Sequence, residues 1–203
     1  IEEGNPCFII DQGWVVNKQT KTLFGAANVK ENKIKTVVEN IPAYIENIGM
    51  CAFSDCHALK QVSIPSNVIR LGESCFNGCE SLTSITLPST TTSIGPGSFS
   101  DCTALSQINF NSNIEDIQRA AFFACLNLEV PALFHTQIKE INSDTFWGCD
   151  TFQVVELPST LEKVGEAAFM LCNNLQTLVF HSDHLRIENK AFYVCESLRS
   201  LVF

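Results

Sequence analysis

A single unit of 23 residues repeats along the chain, and no other property constrains the fold as tightly. Seven phenylalanines fix its register: Phe53, Phe76, Phe99, Phe122, Phe146, Phe169 and Phe192, separated by 23, 23, 23, 24, 23 and 23 residues. Five residues before each Phe stand Ile48, Leu71, Ile94, Ile117, Ile141, Val164 and Ile187. Six after it stand Leu59, Leu82, Leu105, Leu128, Phe152, Leu175 and Leu198, and eleven after it Ile64, Leu87, Phe110, Leu133, Leu157, Phe180 and Phe203. A column that is apolar in every copy is what a stacked core demands, because each coil buries its side chains only against the coils above and below.

Within the unit, the run L-x-x-I-x-L-P alternates apolar residues before a proline, the pattern of a short strand that Pro helps to end. Gly49, Gly72, Gly95 and Gly165 mark a bend that needs either positive φ or a close backbone approach. The expectation is a solenoid with parallel strands about 4.8 Å apart, so that seven coils make a rod or arc of roughly 30 to 35 Å. The one 24-residue unit is expected to absorb its extra residue near Phe134 to Gln137, as a bulge in a turn.

Residues 1–36 lack the repeat. Phe8, Ile10, Trp14, Val16 and Leu23 alternate between turn signals at Asp11-Gln12-Gly13 and Asn17-Lys18-Gln19-Thr20, which predicts a small β-hairpin cap over the apolar end of the stack. Residues 37–203 are then the repeats, about seven of them. The chain begins without Met and stops at Phe203 inside a repeat, as expected of a mature form or an excised piece of a longer protein.

The full pattern, C-x-x-L-x-x-I-x-L-P-x-x-x-x-x-I-G-x-x-x-F-x-x-C, resembles the leucine-rich repeats of the BspA-like, or Treponema pallidum-type, family over about residues 37–203. Asp11-Gln12-Gly13-Trp14 followed by Asn17-Lys18 also resembles the hairpin that often precedes such repeats. The resemblance implies a right-handed leucine-rich-repeat solenoid of parallel strands, turns and short helical segments. It also implies secretion or surface display in mucosal bacteria or protozoan parasites, with adhesion to host or other cells. Gln118, Asn142 and Glu188 depart from the usual Gly, and Pro131 interrupts the fourth strand, which bears on local geometry there.

Composition narrows the functional classes. The chain carries 13 basic against 22 acidic residues, a formal charge of −9, which disfavours a phosphate backbone or an anionic membrane surface as partner. No apolar run approaches the ~18 residues of a membrane span, and Ile1 to Pro6 lack the basic and apolar regions of a signal peptide, so insertion into a membrane by this stretch is not expected. Ten cysteines offer the most tempting chemistry. Seven follow the Phe by three residues: Cys56, Cys79, Cys102, Cys125, Cys149, Cys172 and Cys195. A lone Cys every 23 residues does not make the close pairs of a zinc site. The favoured reading is an inward ladder of small, soft side chains. Should any disulfide form, Cys7 with Cys51 or Cys51 with Cys75 are the candidate pairs.

His57, His135, His181 and His184 have no nucleophile and carboxylate in register with them, and His181-Ser182-Asp183-His184 reads as a solvated loop. No phosphate loop, dinucleotide fingerprint, calcium loop or N-glycosylation acceptor is present. No enzymatic activity and no cofactor are expected.

The outward positions vary instead. Eight and ten after the Phe come Gln61 and Ser63, Ser84 and Thr86, Gln107 and Asn109, then Val130 and Ala132, Val154 and Glu156, Thr177 and Val179, Ser200 and Val202. Directly after the Phe come Ser54, Asn77 and Ser100, then Phe123, Trp147, Met170 and Tyr193. Both columns turn apolar at the fourth unit, as a partner surface would. The alternatives are that the large side chains tilt inward to widen the core or meet a C-terminal part. The candidate binding residues are Phe123, Trp147, Met170, Tyr193, Val130, Val154, Glu156 and Val179, facing a host surface protein, a matrix protein or another copy of the chain. The expected location is the cell surface or the exterior; the alternative is an intracellular interaction scaffold whose thiols stay reduced.

Overall fold

The computed structural model describes residues 5–27, 36–129 and 132–203. The chain opens on three antiparallel strands, β1 (Phe8–Asp11), β2 (Trp14–Asn17) and β3 (Thr22–Ala26). Their turns use the expected residues: Gln12 and Gly13 take φ of 50° and 86°, and the Asn17 side-chain oxygen accepts from the amides of Gln19 and Thr20. β3 then pairs in parallel with Asn47–Ile48 of the first repeat, so cap and solenoid share one sheet. The boundary expected at residue 36 adjoins residues 28–35, which lie outside those described.

The cap plugs the end of the stack. Trp14 is buried, its ring meets Phe53 edge-on at 5.6 Å, and its indole N–H donates to the Asn40 carbonyl at 3.0 Å. Tyr44 donates its hydroxyl to Asp11 at 2.6 Å and ties the first hairpin to the first repeat.

Among the described residues a coil, or rung, carries up to two short strands. The first ladder joins β3, Asn47–Ile48, Arg70–Leu71, Ser93–Ile94 and Asp116–Ile117, and resumes as Glu140–Ile141, Lys163–Val164 and Arg186–Ile187. The second ladder falls into three sheets: Val37–Val38 with Gln61–Val62, Ser84–Thr86 with Gln107–Asn109, and Val154–Glu156 with Thr177–Val179 and Ser200–Val202. All these pairings are parallel, as the repeat requires. Helix is confined, among the described residues, to a 3-10 turn at Leu133–His135.

Between the ladders the seven phenylalanines stack ring on ring, with centroids 5.1, 5.4, 5.3, 5.5, 5.4 and 5.7 Å apart along the chain. The spacing lies within the range of offset aromatic stacks. Six of the seven are fully buried; Phe192, on the last rung, is half-buried.

The bends work by two separate devices. Gly72 keeps a negative φ, but a Cβ there would fall 2.8 Å from the Ile48 carbonyl oxygen and the Gly49 carbonyl carbon, so the glycine serves close approach between coils. Positive φ is carried two residues before and two after each Phe, by Cys51 and Asp55, Ser74 and Gly78, Gly97 and Asp101, Ala120 and Ala124, Asp144 and Gly148, Ala167 and Leu171, and Lys190 and Val194. Most of these are not glycine, at a cost of roughly 1–2 kcal/mol each, which the regular inter-coil bonding of the turns offsets.

The 24-residue unit is where the stack changes. Its extra residue is taken up in the 3-10 turn Leu133–His135, closed by the amide and hydroxyl of buried Thr136 donating to the Leu133 carbonyl at 2.9 and 2.7 Å. Elsewhere a backbone N–H at the Gly column donates to the coil before, as Gly72 to Ile48 at 2.8 Å and Gly165 to Ile141 at 2.7 Å. Gln118 and Glu188 keep that bond, each at 2.9 Å. At Asn142 the side-chain amide takes it over, donating to the Ile117 carbonyl at 2.8 Å, and strand pairing in the first ladder is interrupted there. Pro131, in the same 24-residue interval of sequence, lies outside the described residues.

Candidate functional site

The thiols come first, being the most numerous reactive groups. All ten are free, and six are buried, five of them in the ladder column and Cys75 beside it, with Cys56 and Cys195 half-buried at its ends. Each ladder sulfhydryl from Cys79 onward donates to the carbonyl of the Phe one coil earlier: Cys79 to Phe53 at 3.2 Å, Cys102 to Phe76 at 3.1 Å, Cys125 to Phe99 at 3.0 Å, Cys149 to Phe122 at 3.4 Å, Cys172 to Phe146 at 3.2 Å and Cys195 to Phe169 at 3.0 Å. The column is thus a donor ladder as well as a filler. Burial pushes Cys56 up to about 12 and Cys195 up to about 11, and raises Cys75, Cys125, Cys149 and Cys172 well above the ordinary thiol range. Cys79 is raised by its hydrogen-bonded neighbour Cys102 and then by burial. Groups held so firmly protonated are poor nucleophiles and poor metal ligands. Among the described residues, no cluster of three His, Cys, Asp or Glu is placed to hold a metal.

The outward columns carry the recognisable surface. Directly after the Phe column, Phe123 and Trp147 stack face to face with centroids 4.4 Å apart and planes within 9°. Both are half-buried, Met170 after them is half-buried, and Tyr193 is 57% exposed. The four neither vanish into the core nor stand free, and together they form an aromatic and thioether stripe along the turn edge of rungs four to seven. On the second ladder Val154 is 54% exposed, Val179 is half-buried and Glu156 is exposed. Val130 lies outside the described residues. The two sets occupy different parts of the coil, the turn after the Phe and the strand that follows.

One part of this surface escaped the sequence reading. The His181 ring nitrogen Nε2 meets a Glu156 carboxylate oxygen at 2.9 Å, and Phe134, 40% exposed, rests edge-on against His181 at 4.9 Å. Phe134, on rung four, reaches over rung five to rung six because the extra residue swings it outward. The signal was available in the column twelve after the Phe, which holds Pro65, Pro88 and Pro158 but Asn111, Phe134 and His181 in the other copies. His181 is therefore part of a surface cluster rather than a loop open to water alone.

Comparison with known proteins agrees with this architecture. The family model for the BspA type leucine rich repeat region matches residues 28–136 and 130–203, in six copies. The chain belongs to the BspA-type leucine-rich-repeat family. Among solved structures, a leucine-rich repeat protein from Bacteroides ovatus is similar at 24% identity and a TM-score of 0.69, over 97% of this chain and 50% of that one. The leucine rich repeat protein of Treponema pallidum matches at 21% identity and 0.59, over 100% and 82%. The pneumococcal vaccine antigen PcpA matches at 13% identity and 0.62, over 98% and 44%. At these identities the likeness is one of fold, and the chain spans half the length of the Bacteroides ovatus protein. No curated protein matches the chain in sequence. Membership of this repeat family suggests a protein-interaction module, and no helix in the described residues is long and apolar enough to cross a membrane.

Proposed function

We propose that this chain is a non-enzymatic binding module, displayed on a cell surface or secreted, that holds a host or other-cell protein against the outer columns of rungs four to seven. One observation carries the reading: Phe123, Trp147, Met170 and Tyr193 form a continuous, partly exposed apolar stripe on a stack whose earlier rungs carry Ser54, Asn77 and Ser100 in the same places. Large rigid side chains bury much area on binding at little rotamer cost. The stack varies these positions without disturbing its buried columns, so the stripe is available for selection by a partner. Similarity of fold to a pneumococcal vaccine antigen is consistent with display outside the cell.

The test is a double variant, Trp147→Ser with Tyr193→Ser. Binding to immobilised matrix and cell-surface proteins, or self-association followed by sedimentation, should weaken at least ~tenfold, with the circular-dichroism melt within a few degrees of wild type. Collapse of the melt would return the two residues to the core. A second reading, an intracellular interaction scaffold, is favoured by the ten unpaired thiols, with Cys51 exposed among them. Antibody labelling of intact against permeabilised cells, with thiols counted in parallel, separates the two: staining of intact cells supports display, and staining only after permeabilisation with ten free thiols supports the scaffold.

A further inference from the structure

The first rungs hold a feature that the apolar stripe does not use. On the second ladder, Gln61–Val62 and Ser84–Thr86 belong to different sheets although their rungs adjoin. Steps elsewhere close with a recurring pair of bonds: Lys60 and Gln61 both donate to Thr36, Ser106 and Gln107 to Thr83, Gln176 and Thr177 to Gln153. Among the described residues, the step between Lys60 and Thr83 lacks them. The Phe53 and Phe76 rings remain 5.1 Å apart, and the first ladder is paired through Asn47–Ile48 and Arg70–Leu71, so strand bonding lapses on this side only.

A cavity of about 360 Å³ opens at that seam, within the size range of small-ligand sites. Its polar lining is the side chains of Gln61, Ser63, Ser66, Ser84 and Thr86, all exposed, and no charged residue lines it. Its apolar lining is Val62, Ile64 and Pro88. None of the five polar side chains is engaged by another protein group among the described residues. The polar side chains beside them are engaged: Asn67 donates to Ala43, Thr90 to Ser66 and Val68, Asn111 to Pro88 and Asn113 to Ser89. The seam therefore presents free donors and acceptors in alternation, around a small apolar floor, in the absence of formal charge.

We propose that this seam is a binding site for a neutral saccharide. Ring hydroxyls both donate and accept, which four hydroxyls and one amide can match, while the C–H face of a pyranose suits the apolar floor. An uncharged lining gives no preference for a phosphate or carboxylate, either of which calls for Arg, Lys or a cluster of amides. The proposal does not depend on the protein-binding reading, since it concerns other rungs.

The experiment is saturation-transfer NMR and amide-shift mapping on the intact chain with maltose, lactose and chitobiose as probes, and glucose 6-phosphate, glucuronate and the peptide Gly-Ser-Gly-Ser-Gly as controls. At least one neutral sugar should bind at roughly millimolar strength, shifting the amides of Gln61, Ser63, Ser84 and Thr86. Ser84→Val with Thr86→Val should abolish that signal, and valine at exposed strand positions keeps the fold. The same pair of changes to serine at Val154 and Val179 should leave it intact. The proposal is overturned if no neutral sugar gives transfer at about 10 mM, if a charged sugar or the peptide binds better, or if the Ser84→Val, Thr86→Val variant binds as well as wild type.

Discussion

Rungs one to three and rungs five to seven share their buried columns and differ on nearly every outward one. The ring stack, the thiol ladder and the positive-φ turns run through both halves. Outside, the early rungs show hydroxyls and amides and an open seam, while the late rungs show Val154, Val179, Trp147 and Tyr193. The first ladder changes too. In the late half Lys163 lies 3.6 Å from Glu140 and 3.5 Å from Glu188, with Lys139 near Glu162 and Arg186 near Glu188, whereas the described early half shows one ion pair beside this ladder, Lys21 with Glu46 at the cap, and Ser93 near Asp116. The difference is not required by folding, because the same core is built under both surfaces. A solenoid can therefore carry two recognition chemistries on one scaffold, and the comparison can be broken or sharpened by experiment.

The largest effect should strike both halves together. In the unfolded chain a thiol ionises near 9, whereas in the fold Cys195 is held at about 11 and Cys56 at about 12, with the deeper thiols raised as well. The folded state thus keeps protons that the unfolded state releases, so stability is full below pH 9 and falls as pH rises through these values. Urea midpoints measured from pH 7.5 to 10.5 should drop steeply. The two tryptophans report one half each, Trp14 in the cap and Trp147 in rung five, and their transitions should shift in parallel. A flat alkaline limb would remove the thiol ladder from the energetics.

Truncating one ring should divide the halves. Phe76→Ala and Phe169→Ala each remove a fully buried ring between two stacked neighbours, and each should cost about 3–5 kcal/mol. In a stack with nearest-neighbour coupling the loss is felt first where it is made. Phe76→Ala should move the Trp14 transition further than the Trp147 transition, and Phe169→Ala the reverse. Equal displacement of both probes by both variants would mean that the halves melt as one unit.

The junction is expected to be next in size. Asn142→Ala leaves the Ile117 carbonyl without the side-chain donor that reaches it at 2.8 Å, a loss of about 1–3 kcal/mol if the carbonyl stays dry. The two tryptophan transitions should lie further apart in this variant than in wild type, because the bond lies where first-ladder pairing is interrupted. Unchanged coupling would place the link in the ring stack alone.

What could be read in the sequence was whatever repeats. Phe53 through Phe192 announced the stack because burial imposes the same residue at the same step, and Trp14 announced a cap because an apolar end must be covered. The positive-φ turns were hidden, since Asp55, Leu171, Lys190 and Val194 occupy them without a glycine signature and regular inter-coil bonding overrides local preference. Asn142 looked like a lapse from Gly until its amide was seen replacing a backbone donor. Phe134 and His181 meet only because the 24th residue redirects the chain, a path that column counting does not follow. The seam at Gln61 and Ser84 was legible only as polarity, because nothing in the repeat tells which rungs part.

The smallest effect concerns the charged lattice of the late half. Lys163 sits between Glu140 and Glu188, with its side chain 30% exposed, and both partners are 3.5–3.6 Å away. Exposed pairs of this kind contribute about 0–1 kcal/mol each, and networks somewhat more than isolated pairs. Lys163→Met keeps the aliphatic stem against the ladder and deletes the charge, leaving two carboxylates facing one another across a rung. The expected cost is under about 1.5 kcal/mol at low salt, reduced by half or more at about 1 M salt, where the screening length falls to ~3 Å. The matching early-half change, Arg70→Met, loses no ion pair among the described residues and should be indifferent to salt. A salt-independent cost at Lys163 would show that its stem, rather than its charge, holds the late rungs together, and the contrast drawn between the two first-ladder surfaces would then be one of packing and not of electrostatics.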